Sequence, residues 1–351
     1  MRAVTVLPGK ADSLQVTEVP DPRPAPGEVL VAGLAVGVCG TDREIAAAEY
    51  GMAPPGRDRL VLGHESLGRV LSAPPGAGLA EGDLVVGVVR RPDPEPCGAC
   101  ARGEFDMCRN GRYTERGIKQ LDGYASERWS IEPQYAVRLD PRMAQVGVLL
   151  EPASVLAKAW EQIERIAARA WWDPQRVLVT GAGPIGLMAA LFSVQRGLET
   201  HVLDRVEAGL KPQLVRELGA HYHTGDVESV ARAAMPDVVI EATGAPAVVF
   251  DALRFNAAAG IVCLTGVSAS GRALTIDAGA INREIVLDND VIFGSVNANL
   301  RHYRDAAGAL ERADSGWLER LITRRVPLAR ALEAFEAGHP DDVKVVIDLQ
   351  A

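Results

Sequence analysis

Residues 177–187 read VLVTGAGPIGL, an apolar run followed by Gly181, Gly183 and Gly186 in G-x-G-x-x-G spacing. The run predicts a strand, and LMAALFSVQRG after the glycines predicts a helix. In that strand–turn–helix context the glycines play different parts. One permits the tight turn, one lets backbone approach a pyrophosphate, and one lets the helix pack closely. Pro184 and Ile185 belong to the same turn. Outward from it, RVLVTG (176–181), HVLD (201–204), DVVIEATG (237–244), GIVCLTG (260–266) and VIFGSV (291–296) are short apolar strands separated by helical stretches. Strands that alternate with helices imply a doubly wound parallel sheet.

Asp204 ends the second of these strands, where a carboxylate accepts hydrogen bonds from an adenosine ribose. It favours NAD, because a 2′-phosphate would meet a negative charge. Arg205 beside it offers a guanidinium to that phosphate, so the expectation is NAD with NADP tolerated. Thr243-Gly244 and Thr265-Gly266 close two later strands at the carboxyl edge of the sheet, where ligands lie in open α/β folds, although turn chemistry alone also explains such pairs.

The first 150 residues have another texture. VLVAGLAVGV (29–38), LVVGVV (84–89) and a Gly-Tyr-Ala segment (123–125) stand between Gly and Pro punctuation, predicting a β-rich, partly barrel-like domain. VLAKAWEQIERIAARA (155–170) reads as a helix at the change of texture. The tail from about residue 300 reads as helical and ends on KVVIDL (344–349), a strand with no βαβ partner left, which is expected to return to the first domain.

The 351 residues suffice for two domains. At 48% hydrophobic and 24% charged the composition is that of a soluble globular protein, and no stretch approaches the about 20 apolar residues of a membrane span. A net charge of −9 without a long basic run argues against a nucleic-acid partner. The N-terminus turns polar too early for a signal peptide, and five cysteines without a disulfide framework suit a reducing cytoplasm.

Three segments carry candidate chemistry. GVCGTDREI (37–45) sets Cys39 at a strand end, with Thr41 and Asp42 in N-cap positions of a following helix; VLGHESLGRV (61–70) brings His64 and Glu65; LLEPASVLAKAW (149–160) brings Glu151. Thiolate, imidazole and carboxylate are zinc ligands. Taken singly, Cys39 reads as a buried apolar thiol and His64 as a core histidine; together they read as a metal set. On a regular strand His64 and Glu65 would face opposite ways, so a bend is required for both to reach one ion. A further segment, RRPDPEPCGACARGEFDMC (90–108), places Cys97, Cys100 and Cys108 in metal-like spacing, with Pro94 where a fourth thiol would stand.

Taken together, GxCGTDxEI, GHExxGxV, CxxCxxGxxDxC, EPxSVxxKA, GxGPIGL and the late GSVN resemble the zinc-dependent medium-chain dehydrogenases, and among them the glucose (aldose) 1-dehydrogenase branch. The resemblance implies a GroES-like catalytic domain (residues 1–155 and 298–351) and a central Rossmann NAD(P)-binding domain (156–297). It implies Cys39 and His64 as ligands of a catalytic zinc, Glu65 and Glu151 as carboxylates that bind it directly or through water, and Thr41 as a proton-relay hydroxyl. It also places Ser295 and Asn297 near the cofactor, and Glu115 and Asn297 as sugar contacts. Val89 is apolar where a polar sugar partner sometimes stands. The cysteine lobe matches a structural zinc site at all but its first position; Asp93 and Glu95 flank the vacancy, and Asp93, held between prolines, is the favoured fourth donor, against a reading in which the loop carries three reduced thiols and no metal. The activity implied is hydride transfer from carbon 1 of an aldose to NAD(P), giving a lactone. Polyol, cyclitol or threonine oxidation and a non-catalytic NAD(P)-binding role are the alternatives. A homodimer or homotetramer, paired through VIFGSV, is the expected assembly.

Overall fold

The computed structural model describes residues 1–268, 273–336, 338 and 341–351. The chain forms two units, one of Met1–Ser154 with Asn297–Ala351 and the other of Val155–Val296.

The first unit is organised around the ten-residue strand Val29–Val38, whose apolar alternation buries Val29, Val31, Val36 and Val38. It pairs antiparallel with Glu65–Ser72, Arg128–Ile131 and Lys344–Asp348, at the heart of a seven-stranded sheet. The last strand of the chain does return here: Val346 lies opposite Gly37 and Ile347 opposite Val36. Val36, Val345 and Ile347 share one core with Val4, Ile45, Leu60 and Leu62. Each such side chain contributes about 1.5–3 kcal/mol on leaving water.

Three local expectations change. Tyr124 and Ala125 form no strand; their N–H groups donate to Gly63 and Leu62 carbonyls, which splices the segment between two small elements. The tail is helical at Leu300–Glu311 and Ser315–Leu321 but then forms a strand, Ile322–Pro327, parallel to Lys344–Asp348. Its sequence, ITRRVP, lacks alternation because it is the sheet's terminal strand, where charged residues and a closing proline are tolerated. Finally, Cys39 rather than Thr41 caps the helix Gly40–Ala46, and the Asp42 carboxylate accepts the Cys39 N–H at 2.9 Å.

The second unit carries six parallel strands in the order His221–His223, Glu199–Leu203, Arg176–Thr180, Val238–Glu241, Ile261–Leu264, Val291–Gly294. Strand order reverses between Arg176–Thr180 and Val238–Glu241, and ligands of such sheets bind outside the carboxyl ends at that point. Helix Pro184–Gln195 follows the glycine turn; its residues 186–193 are all buried, which its unbroken apolar sequence requires. Among the described residues no helix is long and apolar enough to cross a membrane.

Candidate active site

Cys39 leaves the Val29–Val38 strand and His64 precedes Glu65–Ser72, so two neighbouring strands deliver both side chains to one place. The required bend is at Gly63, whose φ of +89° suits glycine, and a Cβ there would come within 3.0 Å of Val36 and Ala125. Gly37 makes the second allowance: a Cβ on it would lie 2.0 Å from Glu65 Oε2. Cys39 Sγ is 3.1 Å from His64 Nε2, and with a Glu65 oxygen these donors all lie within 4.8 Å of one another. Zinc bonds of about 2.0–2.3 Å separate tetrahedral ligands by about 3.5 Å, so the thiol and imidazole suit one ion. On the other side of the ring, His64 Nδ1 is 3.4 Å from buried Asp42 Oδ1. Such a carboxylate fixes the ring orientation of a metal-binding histidine. Burial opposes the charge on His64, but Asp42 and Cys39 outweigh it and hold the imidazole well above its ordinary pKa.

The two carboxylates differ in their surroundings. Glu65 is gripped by Lys344, whose Nζ is 2.6 Å from both carboxylate oxygens. Glu151 does not join the donor group of Cys39, His64 and Glu65. Its carboxyl is pushed up to about 7 by burial and by neighbouring Glu65, against the pull of His64 and Lys344. Lys344 gave no signal in the sequence, because KVVIDL reads as a strand whose lysine is simply its first residue; burial at 1% exposure makes it part of the site. Thr41, on the first turn of helix Gly40–Ala46, is half-buried.

The two expected sugar contacts meet. Asn297 Nδ2 donates to Glu115 Oε1 at 2.7 Å, and the buried Arg90 guanidinium donates to the same oxygen from Nε at 3.0 Å and Nη2 at 2.9 Å. Arg90 also lies 3.7 Å over the Tyr113 ring. Asn297 holds a left-handed φ of +62°, and its own Oδ1 accepts the Ala298 N–H. Val89 is fully buried in the core of the unit.

In the second unit, Gly181 has φ +96°, and a Cβ on Gly186 would stand 1.8 Å from the Gly181 carbonyl oxygen. A Cβ on Gly183 would meet nothing within 4 Å, which leaves open space beside the residue that caps helix Pro184–Gln195. Ile185 is half-buried on the first turn of that helix. Asp204 Oδ2 accepts the Ala182 N–H at 2.6 Å, joining the ribose candidate to the glycine turn, while Arg205 is exposed. The two Thr-Gly pairs are organised by a residue that sequence reading passed over, fully buried Glu241. Its Oε1 accepts from Thr243 N–H at 2.7 Å and Gly244 N–H at 3.1 Å, and its backbone carbonyl accepts the Thr265 hydroxyl. Gly266 packs so closely that a Cβ would lie 2.1 Å from Gly244 N. Ser295 is buried, and its hydroxyl has no hydrogen-bond partner among the described residues.

Cys97, Cys100 and Cys108 converge within 4.8 Å, so the lobe does assemble three sulfur donors. Backbone N–H groups of Arg109 and Cys100 lower the Cys97 thiol to about 6, whereas burial raises Cys100 to about 11. Asp93 is not the fourth member: its carboxylate accepts the Glu95 N–H at 2.8 Å and faces Arg112 Nε at 3.3 Å. Glu95 itself is tied to Arg112 Nη2 at 2.8 Å. Three donors fit a thiophilic ion; neither carboxylate completes the set.

A GroES-like β-rich unit with a thiol–imidazole–carboxylate cluster, and a doubly wound unit with a glycine turn, together define a dinucleotide-dependent dehydrogenase. The family model described as glucose dehydrogenase C-terminus matches residues 144–349, and that described as alcohol dehydrogenase GroES-like domain matches residues 25–141. The chain belongs to the glucose dehydrogenase family. Glucose 1-dehydrogenases of Thermoproteus tenax and Methanocella arvoryzae are similar to it at 42% identity over 356 residues and 40% over 360, with 100% of both chains covered in each case. Among solved structures, Haloferax mediterranei glucose dehydrogenase in complex with NADP, Zn and gluconolactone matches with a TM-score of 0.90 and 36% identity over 99% of each chain.

Proposed function

We propose that the protein is a zinc- and NAD(P)-dependent aldose 1-dehydrogenase that oxidises a glucose-like sugar at carbon 1 to the lactone. The observation that carries this reading is the convergence of Cys39, His64 and Glu65 in a unit where Glu115 and Asn297 form a polar pair. The Haloferax relative, crystallised with NADP, Zn and gluconolactone, supports it.

In this reading Cys39 and His64 hold the zinc, with Glu65 and Glu151 as supporting carboxylates. When bound, the ion supplies Lewis acidity that polarises a sugar hydroxyl and eases loss of its proton. Asp42 holds the His64 ring in place and Lys344 holds the Glu65 carboxylate. Thr41 passes the sugar proton outward. Glu115 and Asn297 fix sugar hydroxyls, because a polyhydroxylated substrate needs several set hydrogen-bond partners. In the other unit the Gly181–Gly186 turn and helix N-terminus take the pyrophosphate, Asp204 takes the adenosine ribose, and Arg205 accommodates a 2′-phosphate. Thr243, Gly244, Thr265, Gly266 and Ser295 complete that cofactor edge, which would hold a nicotinamide able to accept hydride. The lobe of Cys97, Cys100 and Cys108 would hold a second, structural zinc by its three thiolates.

We further infer a cytoplasmic homodimer or homotetramer. Val291–Gly294 ends its sheet, with no further strand paired to it among the described residues, and Val286 and Leu287 on the preceding helix are 64% and 62% exposed, which supports pairing between two copies. The deciding experiment is turnover of an aldose panel with NAD and with NADP, followed by the absorbance of the reduced nicotinamide. Glucose-like sugars should turn over, and Cys39→Ala should abolish the activity while dinucleotide binding persists. Oxidation of polyols, cyclitols or threonine with aldoses inert would overturn the assignment.

A further inference from the structure

Three of the chain's six histidines stand on two adjoining strands of the second unit: His201 on Glu199–Leu203, and His221 and His223 on the terminal strand His221–His223. The parallel register sets His201 opposite His221 and Leu203 opposite His223. Residues paired across a sheet, and those two apart on one strand, share a face. Glu199, His201, His221 and His223 therefore crowd one face at the sheet margin. Glu199 Oε1 lies 3.1 Å from His201 Nε2 and 4.0 Å from His221 Nε2, and His201 Nδ1 lies 2.9 Å from His223 Nε2. The His201 ring stacks on that of His221 with centroids 4.9 Å apart.

We propose that Glu199, His201 and His221 form a binding site for a divalent transition-metal ion, with His223 as the orienting partner of His201. Imidazole and carboxylate donors are the set that zinc, nickel and copper share. Bonds of about 2.0–2.2 Å place neighbouring tetrahedral donors about 3.4 Å apart, and the two separations to Glu199 Oε1, 3.1 and 4.0 Å, bracket that span. As they stand the three donors do not all lie within 4.8 Å of one another, so binding requires the exposed His221 ring to turn toward Glu199 and His201. His223 sits on the far nitrogen of His201, where a hydrogen bond fixes the orientation of a ligating imidazole. Burial and the neighbouring histidines hold His223 below its ordinary pKa, and burial does the same for His201 against the pull of Glu199. On binding, His201 keeps one proton, which passes by exchange with solvent from Nε2 to Nδ1 and is donated there to His223 Nε2, and the ion takes the freed Nε2 lone pair beside the Glu199 carboxylate. Glu199 and His221 are 52% and 59% exposed, which leaves the ion an entry and its remaining positions to water.

The test is calorimetric titration of the zinc-loaded holoenzyme with Ni²⁺, with a chromogenic chelator to follow released zinc. One nickel per subunit should bind without releasing zinc, and at least about tenfold more weakly in His221→Ala and in Glu199→Gln. Nickel should also raise the unfolding temperature of the parent chain and not of the variants. Thermal unfolding and NAD(P) binding without nickel check that the variants are folded. Absence of nickel binding, uptake matched by zinc release, or equal affinity in both variants would overturn the site.

Discussion

Lys344 Nζ lies 2.6 Å from both carboxylate oxygens of Glu65, and the two side chains are 2% and 3% exposed. The pair joins the last strand of the chain to the strand that follows His64, since both flank Val29–Val38. The C-terminal segment thereby supplies the cation that balances a carboxylate beside the Cys39–His64 pair.

Breaking such a pair from one side leaves a buried charge uncompensated, at a cost of about 3–5 kcal/mol. Lys344→Met should lower unfolding stability by that order, whereas Lys344→Met with Glu65→Gln should lose less than the two single variants combined. Denaturant unfolding of the four proteins measures the coupling; additive losses would mean that the pair is not coupled.

How much of this was legible depended on whether a residue's role is local. The glycine turn and the Val29–Val38 strand were readable because turn chemistry and alternation are properties of neighbours in sequence. Lys344 and Glu241 were not. The first acquires its role only when Lys344–Asp348 pairs with a strand some three hundred residues earlier, and the second reads as an ordinary polar residue at the end of an apolar run. Ile322–Pro327 escaped for a related reason, since a terminal strand buries little and so carries little pattern. Asp93 was misplaced because spacing along a loop does not say which way a side chain turns; Glu95 N–H and Arg112 claim its carboxylate.

Cofactor preference follows from Asp204. Its Oδ2 accepts the Ala182 N–H, so Asp204→Ala removes both the proposed ribose contact and an anchor of the glycine turn. NAD binding should weaken, by about tenfold for a hydrogen bond to a charged group, and NADP should weaken less because Arg205 remains. The ratio of kcat/KM for the two cofactors reads this directly; an unchanged ratio would remove Asp204 from the ribose site.

For the cysteine lobe, the expected metal content is about two zinc ions per subunit with the lobe filled and one without it. Cys100→Ser should lower the count by one and the thermal stability with it, while leaving kcat of the remaining folded enzyme unchanged. An unaltered zinc count would dispose of the structural site.

A pH effect is expected away from the metal sites. Burial raises Glu132, but the Arg91 guanidinium, within 3.0–3.2 Å of its oxygens, outweighs this and holds it below its unfolded value of 4.5. A carboxylate with a depressed folded pKa contributes stability that is present above 4.5 and is lost as pH falls through the folded value. Acid unfolding curves should therefore be shallower below pH 4.5 for Glu132→Gln than for the parent chain, with the gap closing at lower pH.

Asn297 separates the substrate and cofactor halves of the proposal. Its Nδ2 donates to Glu115 Oε1, an oxygen that already takes two donations from Arg90. The amide therefore completes a polar wall whose charge Arg90 neutralises, the sort of surface that sugar hydroxyls can bind. Alanine is a poor test, since the φ of +62° would add left-handed strain of about 1–2 kcal/mol for a side chain without local hydrogen bonds. Asn297→Gly keeps the backbone and removes only the amide. If the residue orders the sugar site, KM for the aldose should rise about tenfold, the loss of one hydrogen bond to a charged acceptor, with KM for NAD(P) unchanged. Glu115→Gln should raise the same KM, because it retains an acceptor for Arg90 but weakens it. A rise confined to KM for NAD(P) in Asn297→Gly would assign the amide to the cofactor and leave Glu115 without its proposed role.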